Sequence, residues 1–401
     1  MRVLWLTTSI PHPAGEGASA LEFELIAALA HRHDIHVLTT MREHPLGPDE
    51  LLATGATLEW VPSEVEPHPT SKLGVARVLL KADPNVTVWL GRDRVRAFRE
   101  AVLRIAGSEG PPDAVLIRDG DLAPVVEGLP FPTGLMLYDA LTRAIENRRA
   151  NEPLARRRLQ LAVERRRTAR FERTWYRRAT GLMSVSSFDA AWLERHTGRP
   201  VTTVEIPIAD QYFEEPGVPR SSEVVAFVGS LTHAPNVDAI EWLCRDIWPL
   251  VVAERPAAQL VVAGRSDPAG AAARAVRPVV DGAGGELRVD VDDIRPVYWE
   301  AAAVVAPLRE GSGLRNKVLH ALACRAPLVS TPPALEGIPP PVARHVVETP
   351  AADAAAFARA TLDVLADPGA AARAAAAVDD LGPLGTAAIA ARFEDWVGSL
   401  R

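Results

Sequence analysis

One folding plan is written twice in this chain, with a polar stretch between the copies. The first copy opens with the short apolar run Val3-Leu4-Trp5-Leu6. A Gly/Pro-rich loop follows, from Ser9 to Gly17, and then a stretch from Ala18 to His31 with Leu21, Leu25, Ala28 and Leu29 on one helical face. The next apolar run is Ile35-His36-Val37-Leu38. Strand, loop, helix, strand is the opening of a parallel doubly wound sheet, because parallel neighbours need a crossover and a helix supplies it. Ala114 to Ile117, Gly134 to Leu137 and Gly181 to Ser186 read as further strands, while Pro45 to Asp113 is less legible. Gln211 to Ser222, rich in Glu, Pro, Gly and Ser, reads as an interdomain linker. The rhythm then restarts, with strands at Val224–Val228, Gln259–Ala263, Ala301–Pro307 and Pro327–Ser330. Helices are expected at Val237–Trp248 and Asn316–Ala323, through the alanine-rich Ala351–Ala377, and at Ile389–Leu400 with Phe393, Trp396 and Val397 as anchors. The 401 residues are ample for two such domains, so the expected class is α/β with two doubly wound, Rossmann-like domains.

The strongest chemical segment runs from Ala306 to Ala323: strand, Gly-rich loop, helix. Ligands of parallel sheets sit beyond the carboxyl ends of strands. Glycines there let the backbone approach an anion, and the N–H groups and positive pole of the next helix stabilise it. Arg309, Arg315 and Lys317 add full charges, which suits a diphosphate and suits it better as a leaving group. A plain strand-to-helix turn with basic surface residues explains the spacing equally well. Phe227-Val228-Gly229-Ser230 followed by Pro235-Asn236-Val237-Asp238 repeats the pattern. Gly229 and Ser230 could contact phosphate there, and Asn236 could cap the helix. Val262-Ala263-Gly264-Arg265 places another basic residue at a strand end.

Other chemistries are disfavoured. The loop with Gly15 and Gly17 is no dinucleotide fingerprint and has no acidic partner for a ribose, which counts against a nicotinamide oxidoreductase. No nucleophile elbow or Walker loop is present. None of the ten histidines forms a metal-type pair, and His31 and His33, at a helix end, are expected to face solvent. His12, in the loop beyond the first strand, is better placed for a site, although a lone histidine is more often structural. The net charge of −7 argues mildly against a nucleic-acid partner. The two cysteines, Cys244 and Cys324, sit in apolar runs and read as buried thiols of a reducing compartment. Met1 to Leu6 lacks the features of a signal peptide, and no apolar run approaches a membrane span, so a cytoplasmic location is expected. Arg143 to Arg178 is arginine-rich and helical with an incomplete apolar face. It reads first as a solvated face, and second as attraction to anionic lipid or an anionic acceptor, which leaves room for a peripheral membrane contact.

Together these segments resemble family 4 glycosyltransferases, and most nearly the sugar transferases of exopolysaccharide gene clusters. The resemblance covers residues 1–40, 135–213 and 223–340. Its most specific stretch is Pro307-Leu308-Arg309 through Gly313, then Asn316-Lys317-Val318-Leu319 and Ala321; Asp293-Ile294-Arg295-Pro296 and Val329-Ser330-Thr331-Pro332 with Glu336-Gly337 also match. It implies the GT-B type of fold, two facing Rossmann-like domains. Residues 1–210 would hold the acceptor, 211–380 the nucleotide-sugar, and 381–401 would be a helix crossing back to the first domain. The implied activity is that of a retaining, hexosyltransferase-like, metal-independent enzyme with no cofactor beyond the nucleotide-sugar co-substrate. Arg309, Lys317 and Glu310 would be catalytic. Gly229, Ser230, Arg265, Gly311, Gly313, Leu314, Asn316, His320 and Glu336 would bind the donor. His12, Gly15, Gly17, Tyr138 and Asp139 would lie on the acceptor side, the acceptor being a small molecule, a lipid-linked group or a glycan.

Three positions depart from the pattern. His320 stands where the family's ribose-binding glutamate falls, Tyr138-Asp139 replaces His-Asp, and Ile206-Pro207-Ile208-Ala209-Asp210 replaces Pro-Asn-Gly-Val-Asp. They support one alternative, a non-catalytic relative acting as partner of an active transferase; a second, a nucleotide-sugar epimerase on the same scaffold, stays open because fold alone does not settle activity.

Overall fold

A computed structural model describes residues 1–13, 18–40, 47–63, 92–118, 120–267, 269–310, 316–367 and 369–401. The chain forms two compact units: unit 1 is Met1–Pro207 with Thr386–Arg401, and unit 2 is Ile208–Gly385.

Unit 1 is built on a parallel sheet of β1 (Arg2–Thr7), β2 (Asp34–Thr39), β3 (Thr57–Trp60), β4 (Ala114–Arg118), β5 (Thr133–Leu137), β6 (Gly181–Ser184) and β7 (Thr202–Thr203), in the order β3-β2-β1-β4-β5-β6-β7. Chain order reverses between β1 and β4, which pair from Val3 against Ala114 to Leu6 against Ile117. That reversal opens a crevice at the strand ends. The central strands are apolar throughout because helices cover both faces; Leu4, Leu6, Val115, Ile117, Leu135 and Leu137 are all buried in one cluster with Phe98 and Val102.

The helix Thr386–Gly398 belongs to unit 1 and buries Ile389, Ala390, Phe393, Trp396 and Val397. Phe393 stacks on Trp5 of β1, ring centroids 5.4 Å apart. Two glycines make room for it: a Cβ at Gly134 would lie 2.7 Å from the Trp396 ring, and one at Gly181 would collide with Leu400. His33, expected to face solvent, instead sets Nε2 2.8 Å from Glu394 Oε1 on this helix. The helix returning over β1 covers what would otherwise be a surface position.

Unit 2 repeats the plan with β8 (Val224–Val228), β9 (Gln259–Gly264), β10 (Glu286–Val289), β11 (Ala303–Ala306), β12 (Leu328–Ser330) and β13 (Val347–Glu348), in the order β10-β9-β8-β11-β12-β13. Its reversal lies between β8 and β11. The helix expected at Val237–Trp248 begins earlier, at Ala234, and gives way at Leu243–Ile247 to one wide turn of π type, holding Cys244, before Trp248–Glu254 resumes. Pro249 has no N–H to offer the preceding turn, and the winding widens before it, with Trp248 N–H donating to Leu243 O. The segment after the junction is tied down within unit 2: Arg325 Nη1 donates to Phe213 O at 3.2 Å and Glu214 O at 2.9 Å, and Arg295 Nη1 to Gln211 O at 3.1 Å.

Candidate functional site

The reversal in unit 2 brings the ends of β8, β9 and β11 together at the start of the helix Asn316–Ala323. Backbone must pass backbone closely here. Gly229 N–H donates to Ala263 O at 2.9 Å and Leu231 N–H to Arg265 O at 2.8 Å. A Cβ at Gly264 would overlap the Gly229 carbonyl oxygen, so glycine is required there. At Gly229 a Cβ would lie 2.9 Å from both Lys317 Nζ and Asn236 Nδ2.

Lys317, in the first turn of its helix, reaches back over β8. Its Nζ donates to Asn236 Oδ1 at 2.5 Å and sits 4.5 Å from the centroid of the Phe227 ring. Asn236 was a candidate helix cap. It does not cap: the helix starts two residues earlier, and the amide works sideways, Nδ2 donating to Ser230 O at 2.8 Å while Oδ1 holds the ammonium. Asn236 thus fixes the Gly229-Ser230 turn to Lys317. Ser230 Oγ lies 2.8 Å from Thr232 Oγ1. Asn316 Oδ1 is buried without a hydrogen-bond partner among the described residues.

Arg309 leaves the end of β11 and pairs with Asp238 through both carboxylate oxygens, Nε to Oδ2 at 2.9 Å, with its guanidinium 5.5 Å from the Trp242 ring centroid. The Asp238 hydrogen bonds and charge raise the Arg309 pKa. Half-buried Glu310 adds to the negative field around it. Thr331 Oγ1 donates to Leu308 O at 2.5 Å, fastening the end of β12 to the segment that carries Arg309. Half-buried Glu336 follows the short helix Pro332–Leu335 beyond β12.

His320 lies one turn beyond Lys317 with its imidazole flat against Tyr212, ring centroids 3.9 Å apart and planes at 15°. Burial pushes the imidazole down to about 4, so it is neutral near pH 7. Burial likewise pushes the Tyr212 hydroxyl up to about 12; Cys324 and Asp293 act in the same sense, and Arg295 and Arg265 oppose them. Arg265 therefore stands within the electrostatic reach of Tyr212.

The unit 1 candidates sit around the other reversal. His12 is buried, with Nε2 3.1 Å from Glu50 Oε2. Tyr138 is half-buried after β5, and Asp139 is exposed. Arg118, at the end of β4, lies 5.8 Å from the Tyr138 ring centroid, and its Nη1 donates to Thr7 Oγ1 at 3.1 Å and Ser9 Oγ at 2.6 Å. Its counter-charge is Glu22, fully buried in the first helix, 3.3 Å away. Glu22 also accepts from Trp5 Nε1 at 2.7 Å and Thr7 Oγ1 at 3.1 Å. Gly15, Gly17, Gly311, Gly313, Leu314 and Arg315 lie outside the described residues.

The structure thus gathers Gly229, Ser230, Asn316 and Lys317, sets Arg309 beside them on Asp238, and turns His320 to Tyr212. Sequence reasoning missed the Asn236 amide, Tyr212 and the Glu22–Arg118 pair. The signal for the last was an acid inside the apolar helix Ala18–Leu29 and a base ending an apolar strand. Among the described residues no three histidine, cysteine or acidic side chains come together as a metal site, and no helix is long and apolar enough to cross a membrane.

Residues 222–367, all in unit 2, match the family described as glycosyl transferases group 1. No curated protein matches the chain. Among solved structures it is similar to a sucrose-phosphate synthase from Thermosynechococcus elongatus, at 17% identity and a TM-score of 0.73, over 100% of this chain and 99% of that one. A glycosyltransferase from Rickettsia africae is 9% identical with a TM-score of 0.64, over 100% of this chain and 98% of that one. Anabaena HepE, in complex with UDP and glucose, is 14% identical with a TM-score of 0.66, over 100% of both chains. The likeness is one of fold: two Rossmann-like units of the GT-B type. With the family match in unit 2, it supports a glycosyltransferase.

Proposed function

We propose that the chain is a retaining glycosyltransferase that moves a sugar from a nucleoside-diphosphate donor held by unit 2, most like the family 4 enzymes of exopolysaccharide clusters. The observation that carries this reading is the Lys317 ammonium, fixed by Asn236 over Gly229 at the reversal of the sheet. An anion placed there meets a full positive charge, the close-approaching glycine backbone and the first turn of a helix. As the sugar–phosphate bond breaks, negative charge grows on the diphosphate, and Lys317 and Arg309 stabilise it more than they stabilise the intact donor. Arg309 acts from its Asp238 clamp, which orients the guanidinium. The acceptor hydroxyl attacks from the face the diphosphate leaves, its proton passes to the departing phosphate oxygen, and the reaction needs no covalent nucleophile. These cations take the place of a metal, and the nucleotide-sugar is the sole co-substrate. UDP in HepE supports the donor class. The two free, buried thiols support work in the reducing cytoplasm.

A second reading, a non-catalytic relative, has one observation in its favour: His320, at the ribose position, is neutral and stacked on Tyr212, so it offers no carboxylate to a hydroxyl. Calorimetric titration with UDP, GDP, ADP and TDP separates the two. Binding of one of them at micromolar affinity, lost in Lys317→Ala, is the expected result. No binding of any would remove the donor assignment.

A further inference from the structure

The arginine-rich stretch of unit 1 plays no part in the site above. Residues 141–178 hold thirteen arginines against four glutamates and no lysine or aspartate, a surplus of nine positive charges in a chain whose total is −7. Part of this charge is spent internally. Arg143 is buried against Asp189 at 2.9 Å, Arg165 pairs with Glu146 at 2.5 Å and Arg178 with Glu127 at 3.0 Å. On the helix Ala155–Trp175, Arg156, Arg166, Arg170 and Arg173 are exposed.

That helix buries Thr168, Ala169, Phe171 and Glu172, all in its C-terminal half. Leu159, Val163, Arg166 and Arg170 follow one another at four-, three- and four-residue steps and form one stripe on the opposite face, flanked by Arg156 and Arg173. The four arginines are exposed and make no ion pair among the described residues. Leu159 is 68% exposed and Val163 44%, and Leu154, just before the helix, is 58% exposed. Leu159 and Val163 thus add apolar area to the same stripe as Arg166 and Arg170. A polyanion such as RNA would be met by the arginines alone. The combination of guanidinium groups with projecting apolar side chains in one stripe suits the boundary between lipid headgroups and acyl chains. There the arginines keep their heads among phosphates and the leucines and valine leave water.

We propose that this face docks the protein on an anionic lipid bilayer, with the helix, roughly 30 Å long, lying in the plane of the interface. The residues of this face belong to unit 1 and those of the nucleotide site to unit 2, so the two assignments rest on different residues and are tested independently.

The test is co-sedimentation of the full chain with vesicles of phosphatidylcholine alone and of phosphatidylcholine with phosphatidylglycerol at about 7:3, a mixture of moderate negative surface charge. Binding to the second and not the first, weakening with salt, is expected. Replacing Arg156, Arg166 and Arg170 by Gln should lower partitioning on the order of a hundredfold. Replacing Leu159 and Val163 by Ser should lower it about tenfold. Both variants should keep the wild-type melting temperature, since every position is exposed. Equal sedimentation with both vesicles, or none with either, overturns the proposal. So does a Leu159/Val163 variant that binds like wild type, or binding of polyuridylate through the same arginines without binding to vesicles.

Discussion

At the strand ends of unit 1 a cation meets a buried carboxylate: Arg118 faces Glu22 past β4, and Arg143 faces Asp189 past β5. At the matching place in unit 2, Lys317 is held by the amide of Asn236 and the face of Phe227. One plan of sheet and crossover carries two treatments of charge. A carboxylate at contact distance cancels a guanidinium and, once both are out of water, makes each dependent on the other. An amide oxygen and a ring carry no charge of their own, so they orient an ammonium toward an arriving anion without themselves neutralising it. Between these extremes stands Arg309, half-exposed and shared with Asp238.

The sharpest way to break this contrast is to remove Glu22. In Glu22→Ala, Arg118 loses its counter-charge and Trp5 and Thr7 lose an acceptor. Thermal and urea unfolding should show a loss of about 3 kcal/mol, because a largely buried cation loses a carboxylate at contact distance. A loss below ~1 kcal/mol would mean the pair is not structural. Lys317→Ala should do the reverse, keeping the wild-type melting curve while turnover of the nucleotide-sugar drops about a hundredfold, roughly 3 kcal/mol in the barrier. Wild-type turnover would remove Lys317 from the chemistry.

His320 gives a smaller effect and a definite pH window. Its folded pKa of about 4 lies below the ordinary 6.5, so as pH falls the unfolded chain takes up the proton first. The stability this neutral imidazole contributes is complete above the unfolded pKa and drains away toward the folded one. Between these limits wild type should lose about 2 kcal/mol more than His320→Phe, which keeps a ring against Tyr212 and cannot titrate. Parallel stability profiles for the two proteins would show that the stack leaves the imidazole open to water. The least effect is expected from a chelator. If Lys317 and Arg309 stand in for a metal, treatment with EDTA leaves turnover unchanged, and a loss restored by magnesium or manganese would show that they do not.

The sheet was legible where strands are buried on both faces. Val3–Leu6, Ala114–Ile117 and Val224–Val228 announce themselves as unbroken apolar runs, and Gly120 and Gly229 follow closely on the last two. Edge strands were not. Thr57–Trp60 and Glu286–Val289 carry polar residues on an open face, and Thr202–Thr203 is too short to show a period. In the site, Gly229, Ser230 and Lys317 could be picked from their place between strand and helix. What Asn236 and His320 do could not. Each depends on a partner far away in sequence, Lys317 for one and Tyr212 for the other. The same limit hid Glu22, whose partner lies on the far side of the sheet reversal.

The return of Thr386–Arg401 to unit 1 has a consequence for how the protein is made. On a ribosome the domain begun first is finished last. Trp5, Gly134 and Gly181 await Phe393, Trp396 and Leu400, which emerge only after all of Ile208–Gly385 has been translated. At about 5–20 residues per second that is a wait of roughly 10–40 s. Throughout it the nascent chain shows an apolar strip of the first sheet to whatever is nearby. A chaperone has that interval in which to bind, and a chain cut before Thr386 keeps all of unit 2 but lacks part of unit 1.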